Sequence, residues 1–131
     1  MITVVAAIIK KDTKILITRR AKDQKLAGFW EFPGGKIEAG ESEELCLIRE
    51  IKEELNLVIA IEERLGEIVH SYEFANILLI AYACQYRGGD ICLTVHDDFC
   101  WVEVSELSGF CFAPADEPFV RQLIGEGQFS G

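Results

Sequence analysis

The chain has 131 residues, half of them hydrophobic, with 13 basic and 22 acidic side chains and a formal net charge of −9. That length suits one domain whose core needs neither disulfides nor a structural metal. The charge disfavours binding to nucleic acid polymers or anionic membranes, but a small phosphate-rich ligand stays compatible if divalent cations screen the contact.

Five cysteines (Cys46, Cys84, Cys92, Cys100 and Cys111) form no CxxC pair and are odd in number. Such spacing offers neither a zinc site nor a disulfide framework, and reads as scattered, reduced, mostly buried thiols of a cytoplasmic protein. The apolar run at 4–9 is too short for a signal peptide and is followed by Lys10, Lys11 and Asp12. It reads as a strand, and nothing in the sequence is long enough to span a membrane.

Taken in chain order, residues 3–10 are β-branched and apolar, as in a buried strand, and 14–20 return as a second strand after a turn at Asp12-Thr13. Residues 28–40 hold four glycines and a proline, and read as a long loop with a short strand at 30–32. Ser42 is a suitable N-cap for a helix with Leu45, Ile48, Leu55 and Cys46 on its apolar face. That helix ends near Asn56, a residue that tolerates the left-handed C-cap conformation. Strands are expected at about 64–73 and 77–86, a loop at 87–90, and a short strand at 99–102. A helical turn at 104–107 and an amphipathic helix at 117–124, with Pro118 in its first turn, follow. The Gly-rich tail from residue 125 is expected to fray. Mixed strands and two helices imply one α/β (α+β) domain over 1–131, with a sheet covered on both faces.

The chemistry concentrates in the helix. Glu50, Glu53 and Glu54 are spaced i, i+3, i+4, so their carboxylates project from one face. Like charges packed that way destabilise the helix unless a cation sits among them. Mg²⁺ favours an all-oxygen shell shared with water and substrate phosphates. Glu41 precedes the helix and can reach the same place, and Arg49 offers a fork that can clamp a glutamate. On the helix alone, a solvated acidic face is an equal reading. Upstream, Pro33-Gly34-Gly35-Lys36 sets flexible backbone and one cation beside the acidic face, as close approach to a phosphate requires.

These residues resemble the Nudix family, whose box reads G-x5-E-x7-R-E-U-x-E-E-x-G-U, with U bulky and apolar. Gly35, Glu41, Arg49, Glu50, Ile51, Glu53, Glu54 and Leu57 fall on it, while Asn56 stands where the family has glycine. The segments at 4–9, 19–20, 28–38 and 113–118 extend the similarity to the MutT-like branch. The resemblance implies an α/β/α sandwich with a central mixed sheet. It also implies Mg²⁺-dependent hydrolysis of a nucleoside triphosphate to a monophosphate and pyrophosphate, with Mn²⁺ as a substitute. The substrate is left open between 8-oxo-dGTP and CTP or dCTP. Another nucleoside diphosphate derivative and a non-catalytic nucleotide sensor are the alternatives, and monomer and homodimer are both open.

The resemblance further implies Glu50, Glu53 and Glu54 as metal ligands, with Glu41 and the Gly35 backbone as auxiliaries. Arg49 orients the carboxylates, and Glu50 or Glu53 serves as base where no later carboxylate does. Lys36 and Gly34 hold phosphate, and Arg20, Phe32 and Asp116 line the base pocket. MutT-like chains carry a further glutamate about six residues before a tryptophan; here that position is Val95. Asp97 or Asp98 is the expected replacement, with a simple turn as the equal alternative. His70 and His96 read as ordinary strand or surface residues.

Overall fold

The computed structural model describes residues 1–126. Strands β1 (Ile2–Lys11) and β2 (Lys14–Arg20) form a hairpin closed at Asp12, which takes φ 56°. Short strands β3 (Trp30–Glu31) and β4 (Gly34–Lys36) precede helix α1 (Glu43–Leu55). Then come β5 (Val58–Tyr72), β6 (Ala75–Gly88), β7 (His96–Glu103), a 3₁₀ helix (Val104–Gly109) and helix α2 (Glu117–Glu126). The sheet order is β3-β2-β1-β6-β5, with β4 also paired to β1 and β7 to β2. The β1–β6 pairing is parallel and the rest are antiparallel, so the sheet is mixed.

Alternation along β1 divides the core. Val5, Ala7 and Ile9 pack with Cys46, Leu47, Ile51 and Leu55 of α1, whereas Ala6 and Ile8 pack with Phe119, Val120 and Leu123 of α2. One helix on each face makes the expected α/β/α sandwich. Among the described residues no helix is long and apolar enough to cross a membrane.

Several local expectations are corrected. Gly34–Lys36 is strand rather than loop, paired with Val4–Ala6 of β1; a Cβ at Gly34 would collide with the Val5 carbonyl. Glycine's poor strand propensity is overridden here by tertiary pairing. The buried stripe of α1 is Cys46, Leu47, Ile51 and Leu55, while Leu45 and Ile48 are 65% and 41% exposed. The helix is thus rotated so that its glutamate stripe runs beside the buried one. β5 and β6 are longer than expected because β5 carries register shifts that break the two-residue alternation, and Arg87-Gly88 belong to β6. β7 begins at His96, because pairing with β2 draws Asp97 and Asp98 into the strand. Helix α2 passes through Gly125 to Glu126; the frayed tail expected beyond it lies outside the described residues. Cys92 and Cys111 are exposed, so the thiols are less uniformly buried than expected.

The two caps of α1 behave as their residue types demand. Ser42 Oγ accepts from the Leu45 amide at 3.1 Å, and Asn56 adopts φ 59°, ψ 34° while its amide donates to the Lys52 carbonyl. Asn56 therefore does what the family's glycine does at this corner. Asn56→Gly is expected to leave stability within about 0.5 kcal/mol, and Asn56→Ala to cost about 1 kcal/mol. Urea denaturation checks both; an alanine variant as stable as the parent contradicts the assignment.

Candidate active site

The pairing of β4 with β1 brings the glycine strand against α1. Gly35 lies opposite Val5, and a Cβ there would collide with the Glu50 carboxylate. Only glycine lets backbone and carboxylate approach this closely. The Cys46 thiol donates to the Lys36 carbonyl at 3.4 Å, tying β4 to the first turns of the helix.

Arg49 organises the acidic side chains. Its Nε and Nη2 donate to both oxygens of Glu41 at 2.6 and 2.9 Å, the bidentate geometry a guanidinium favours. Its Nη1 donates to Glu50 Oε1 at 2.8 Å and to Glu53 Oε1 at 3.1 Å. Hydrogen bonding from Arg49 pulls the Glu41 carboxyl down to about 2, and the same bonds push the Arg49 guanidinium up. Glu41 is thus a fixed anion at neutral pH and Arg49 a fixed cation.

Glu54 is different. Burial, together with a hydrogen bond to Glu50 and the nearby Glu50 charge, raises its carboxyl well above the usual range. Two carboxylates so placed repel unless a proton or a cation lies between them. Among the described residues, no three His, Cys, Asp or Glu side chains converge as a metal-holding group, since Arg49 engages Glu50 and Glu53. The chemistry of the donors nonetheless fits a hard divalent cation. Glu50 and Glu54 supply oxygen ligands, and the Glu50 carboxylate takes the space beside the backbone that a Cβ at position 35 would fill.

Glu50 and Glu54 line a cavity of about 740 Å³, together with Gly34, Gly35, Lys36 and Glu38. Arg20, Glu31, Phe32, Tyr72, His96 and Asp116 line it too, and the Glu31 and Arg20 charges act on Glu54. Glu31 Oε1 accepts from Arg20 Nη1 and its Oε2 meets His96 Nε2, each at 2.9 Å. Asp116 is buried and accepts the Phe32 amide at 3.0 Å. Its burial, reinforced by the Glu31 charge, raises its carboxyl well above the ordinary range despite that hydrogen bond. The Tyr72 hydroxyl accepts the Ala115 amide at 2.8 Å and so braces the loop that carries Asp116.

A glycine strand, a capped acidic helix and this cavity form one unit, and the same arrangement recurs in known proteins. A family model described as the NUDIX domain matches residues 4–122. The chain belongs to the Nudix family. The CTP pyrophosphohydrolase of Escherichia coli K12 is 38% identical over 128 residues, covering 95% of this chain and 92% of that protein. A putative 8-oxo-dGTP diphosphatase 2 of Mycobacterium tuberculosis is 36% identical over 123 residues, covering 92% and 86%. The solution structure of the E. coli ORF135 protein superposes with a TM-score of 0.83 at 34% identity, covering 95% of this chain and 89% of that one. The protein is accordingly a Nudix hydrolase.

The Nudix box is brought together in space, but its members divide. Glu50, Glu54 and Gly35 line the cavity, while Glu41, Arg49 and Glu53 lie outside its lining and form the ion-pair network behind it. Of the residues expected to meet the substrate, Arg20, Phe32, Gly34, Lys36 and Asp116 all line the cavity. Asp97 and Asp98 do not. Asp97 pairs with Arg19 Nε at 2.7 Å, and Asp98 Oδ1 accepts the Phe99 amide at 2.8 Å. The reason is a register shift in the β2–β7 ladder: Arg19 faces Asp98 but Arg20 faces His96, which leaves Asp97 as the extra residue of a bulge. The expectation that these aspartates replace the absent glutamate is therefore set aside. Val95 and His96 are the residues of this segment that line the cavity.

Glu31, His96 and Tyr72 are among the lining residues that the sequence did not point to. Glu31 sits within a segment already singled out, and its place opposite Thr18 in the β2–β3 ladder is a tertiary fact. His96 and Tyr72 carry no motif of their own.

The raised carboxyl of Asp116 has a consequence for stability. The folded state holds a proton that the unfolded chain releases near its ordinary pKa of about 3.9. Stability contributed by this group is thus full below that value, falls as pH rises toward the raised folded value, and stays lower above it. Asp116→Asn is expected to gain stability relative to the parent as pH rises from about 4.5 to about 7.5, read by urea denaturation at both values. A difference that stays constant over that range contradicts the account.

Proposed function

We propose that this Nudix hydrolase is a Mg²⁺-dependent nucleoside triphosphate pyrophosphohydrolase, converting a nucleoside triphosphate and water to the monophosphate and pyrophosphate. The observation that carries the reading is the cavity itself. Glycine backbone, Lys36 and paired carboxylates line it together with a buried aspartate, an aromatic and an arginine. A phosphate chain and a base need those two chemistries side by side.

In this reading Glu50, Glu53 and Glu54 hold the metal, with Glu41 and the Gly35 backbone as auxiliaries. A divalent cation held there would neutralise the diphosphate and make a bound water more acidic. Lys36 and the Gly34-Gly35 backbone keep the phosphates in place. The Arg49 fork limits the rotamers of Glu41, Glu50 and Glu53, so each carboxylate meets the site already oriented. Water attacks one phosphorus and the oxygen bridge between the α and β phosphates breaks, giving the monophosphate and pyrophosphate. Glu50 or Glu53 accepts the water's proton, because Val95 supplies no late-loop carboxylate.

The base is read by Asp116, flanked by Arg20 and Phe32. A buried carboxyl group offers an acceptor and, when protonated, a donor. Both 8-oxoguanine and cytosine present donors with an adjacent acceptor, so 8-oxo-dGTP and CTP or dCTP are the proposed substrates. The names of the mycobacterial and E. coli relatives point to the same two groups.

The test is pyrophosphate release across CTP, dCTP, 5-methyl-dCTP, dGTP and 8-oxo-dGTP. EDTA should abolish release, and Mg²⁺ or Mn²⁺ should restore it. Glu53→Gln should lower kcat by roughly a hundredfold or more. Near-normal turnover of that variant would remove Glu53 from the metal set, and metal-independent release would overturn the mechanism.

A further inference from the structure

The β7 bulge places one residue where neither the Nudix box nor the base-reading residues need it. His96 has a side chain only 3% exposed, and its Nε2 lies 2.9 Å from Glu31 Oε2. A carboxylate can only accept, so His96 Nε2 is the donor in this contact. Its Nδ1 is buried and has no hydrogen-bond partner among the described residues. Burying a polar atom unpaired is destabilising, so the placement of this imidazole calls for a physical reason.

The geometry around Glu31 supplies the reason. Glu31 lines the cavity, and each of its oxygens has one fixed partner, Arg20 Nη1 on Oε1 and His96 Nε2 on Oε2. Those partners come from β2 and β7, which flank each other through the shifted register that sets Arg20 opposite His96. Without the bulge, Asp97 would stand opposite Arg20 in place of the imidazole. A second carboxylate beside Glu31 would repel it rather than hold it. With the bulge, Asp97 turns to Arg19 and the imidazole turns to Glu31.

We infer that His96 is a positioning residue. It fixes the plane of the Glu31 carboxylate, so that the remaining lone pairs of Glu31 form a preset acceptor for a hydrogen-bond donor on the bound nucleotide, beside Asp116. The inference rests on the reading that a nucleotide fills this cavity. It adds a second carboxylate to the recognition surface and assigns the β7 bulge its purpose. Because Arg20 alone leaves Glu31 Oε2 free to rotate, both partners are needed for a fixed acceptor.

His96→Leu and His96→Gln are the test, with thermal melting, steady-state kinetics on the preferred nucleotide, and calorimetric binding of the product monophosphate without metal. Leucine removes both the Nε2 donor and the orphaned Nδ1. Its melting temperature should be equal to or above the parent's, KM and the monophosphate Kd should rise roughly tenfold, and kcat should stay within about threefold. Glutamine, whose amide N–H can still reach Glu31, should recover most of the affinity. A lower melting temperature with unchanged KM and Kd would make His96 a structural residue and overturn the inference. So would a fall in kcat alone. Failure of the parent to bind or turn over any nucleotide would instead sink the substrate reading, and this inference with it.

Discussion

The Arg49 guanidinium holds Glu41 by two hydrogen bonds and Glu50 and Glu53 by one each. Three carboxylates on neighbouring turns of chain would otherwise repel and disperse into solvent. The fork converts that repulsion into a fixed array. It also joins the segment before α1 to the helix itself, because Glu41 lies outside the helix and the other two lie within it. The Glu38 amide donates back to Glu41 at 3.1 Å, so the anchored carboxylate orders the approach loop as well.

The array gains its meaning from what lies across the gap. Gly35 is strand-paired with Val5, deep in the sheet, and α1 packs on that same face through Cys46, Leu47, Ile51 and Leu55. A side chain at position 35 would displace the Glu50 carboxylate from its place against the glycine strand. Phe32 and Ala115, which also line the cavity, pack with Phe112 and Phe119 in the opposite core, and Asp116 is buried beside them. A site set between two cores is positioned by both helices.

Much of this was legible in the sequence for physical reasons. The box from Gly35 to Leu57 is local, so its spacing, caps and charges predict a capped helix with carboxylates on one face. Asn56 is a good instance: its tolerance of positive φ is a property of the residue, and the structure uses it. What escaped depends on pairing between distant segments. The β2–β7 register shift exchanges Asp97 for His96, and no count back from Trp101 can detect a bulge. Leu45 and Ile48 misled because apolar residues on an exposed helix face look the same in sequence as buried ones. Glu31 and Tyr72 act through partners from other strands and loops, Arg20, His96 and Ala115, which sequence spacing does not connect.

The central claim is that the acidic helix face and the glycine strand bind a divalent cation and a nucleotide's phosphates as one unit. Calorimetric binding of a non-hydrolysable nucleoside triphosphate analogue, with Mg²⁺ and with EDTA, tests this directly in the parent and in Glu50→Gln. The account predicts that Mg²⁺ tightens analogue binding by at least about tenfold in the parent and has little effect in the variant. Equal affinity in Mg²⁺ and EDTA, or a Mg²⁺ effect that survives in Glu50→Gln, would contradict it.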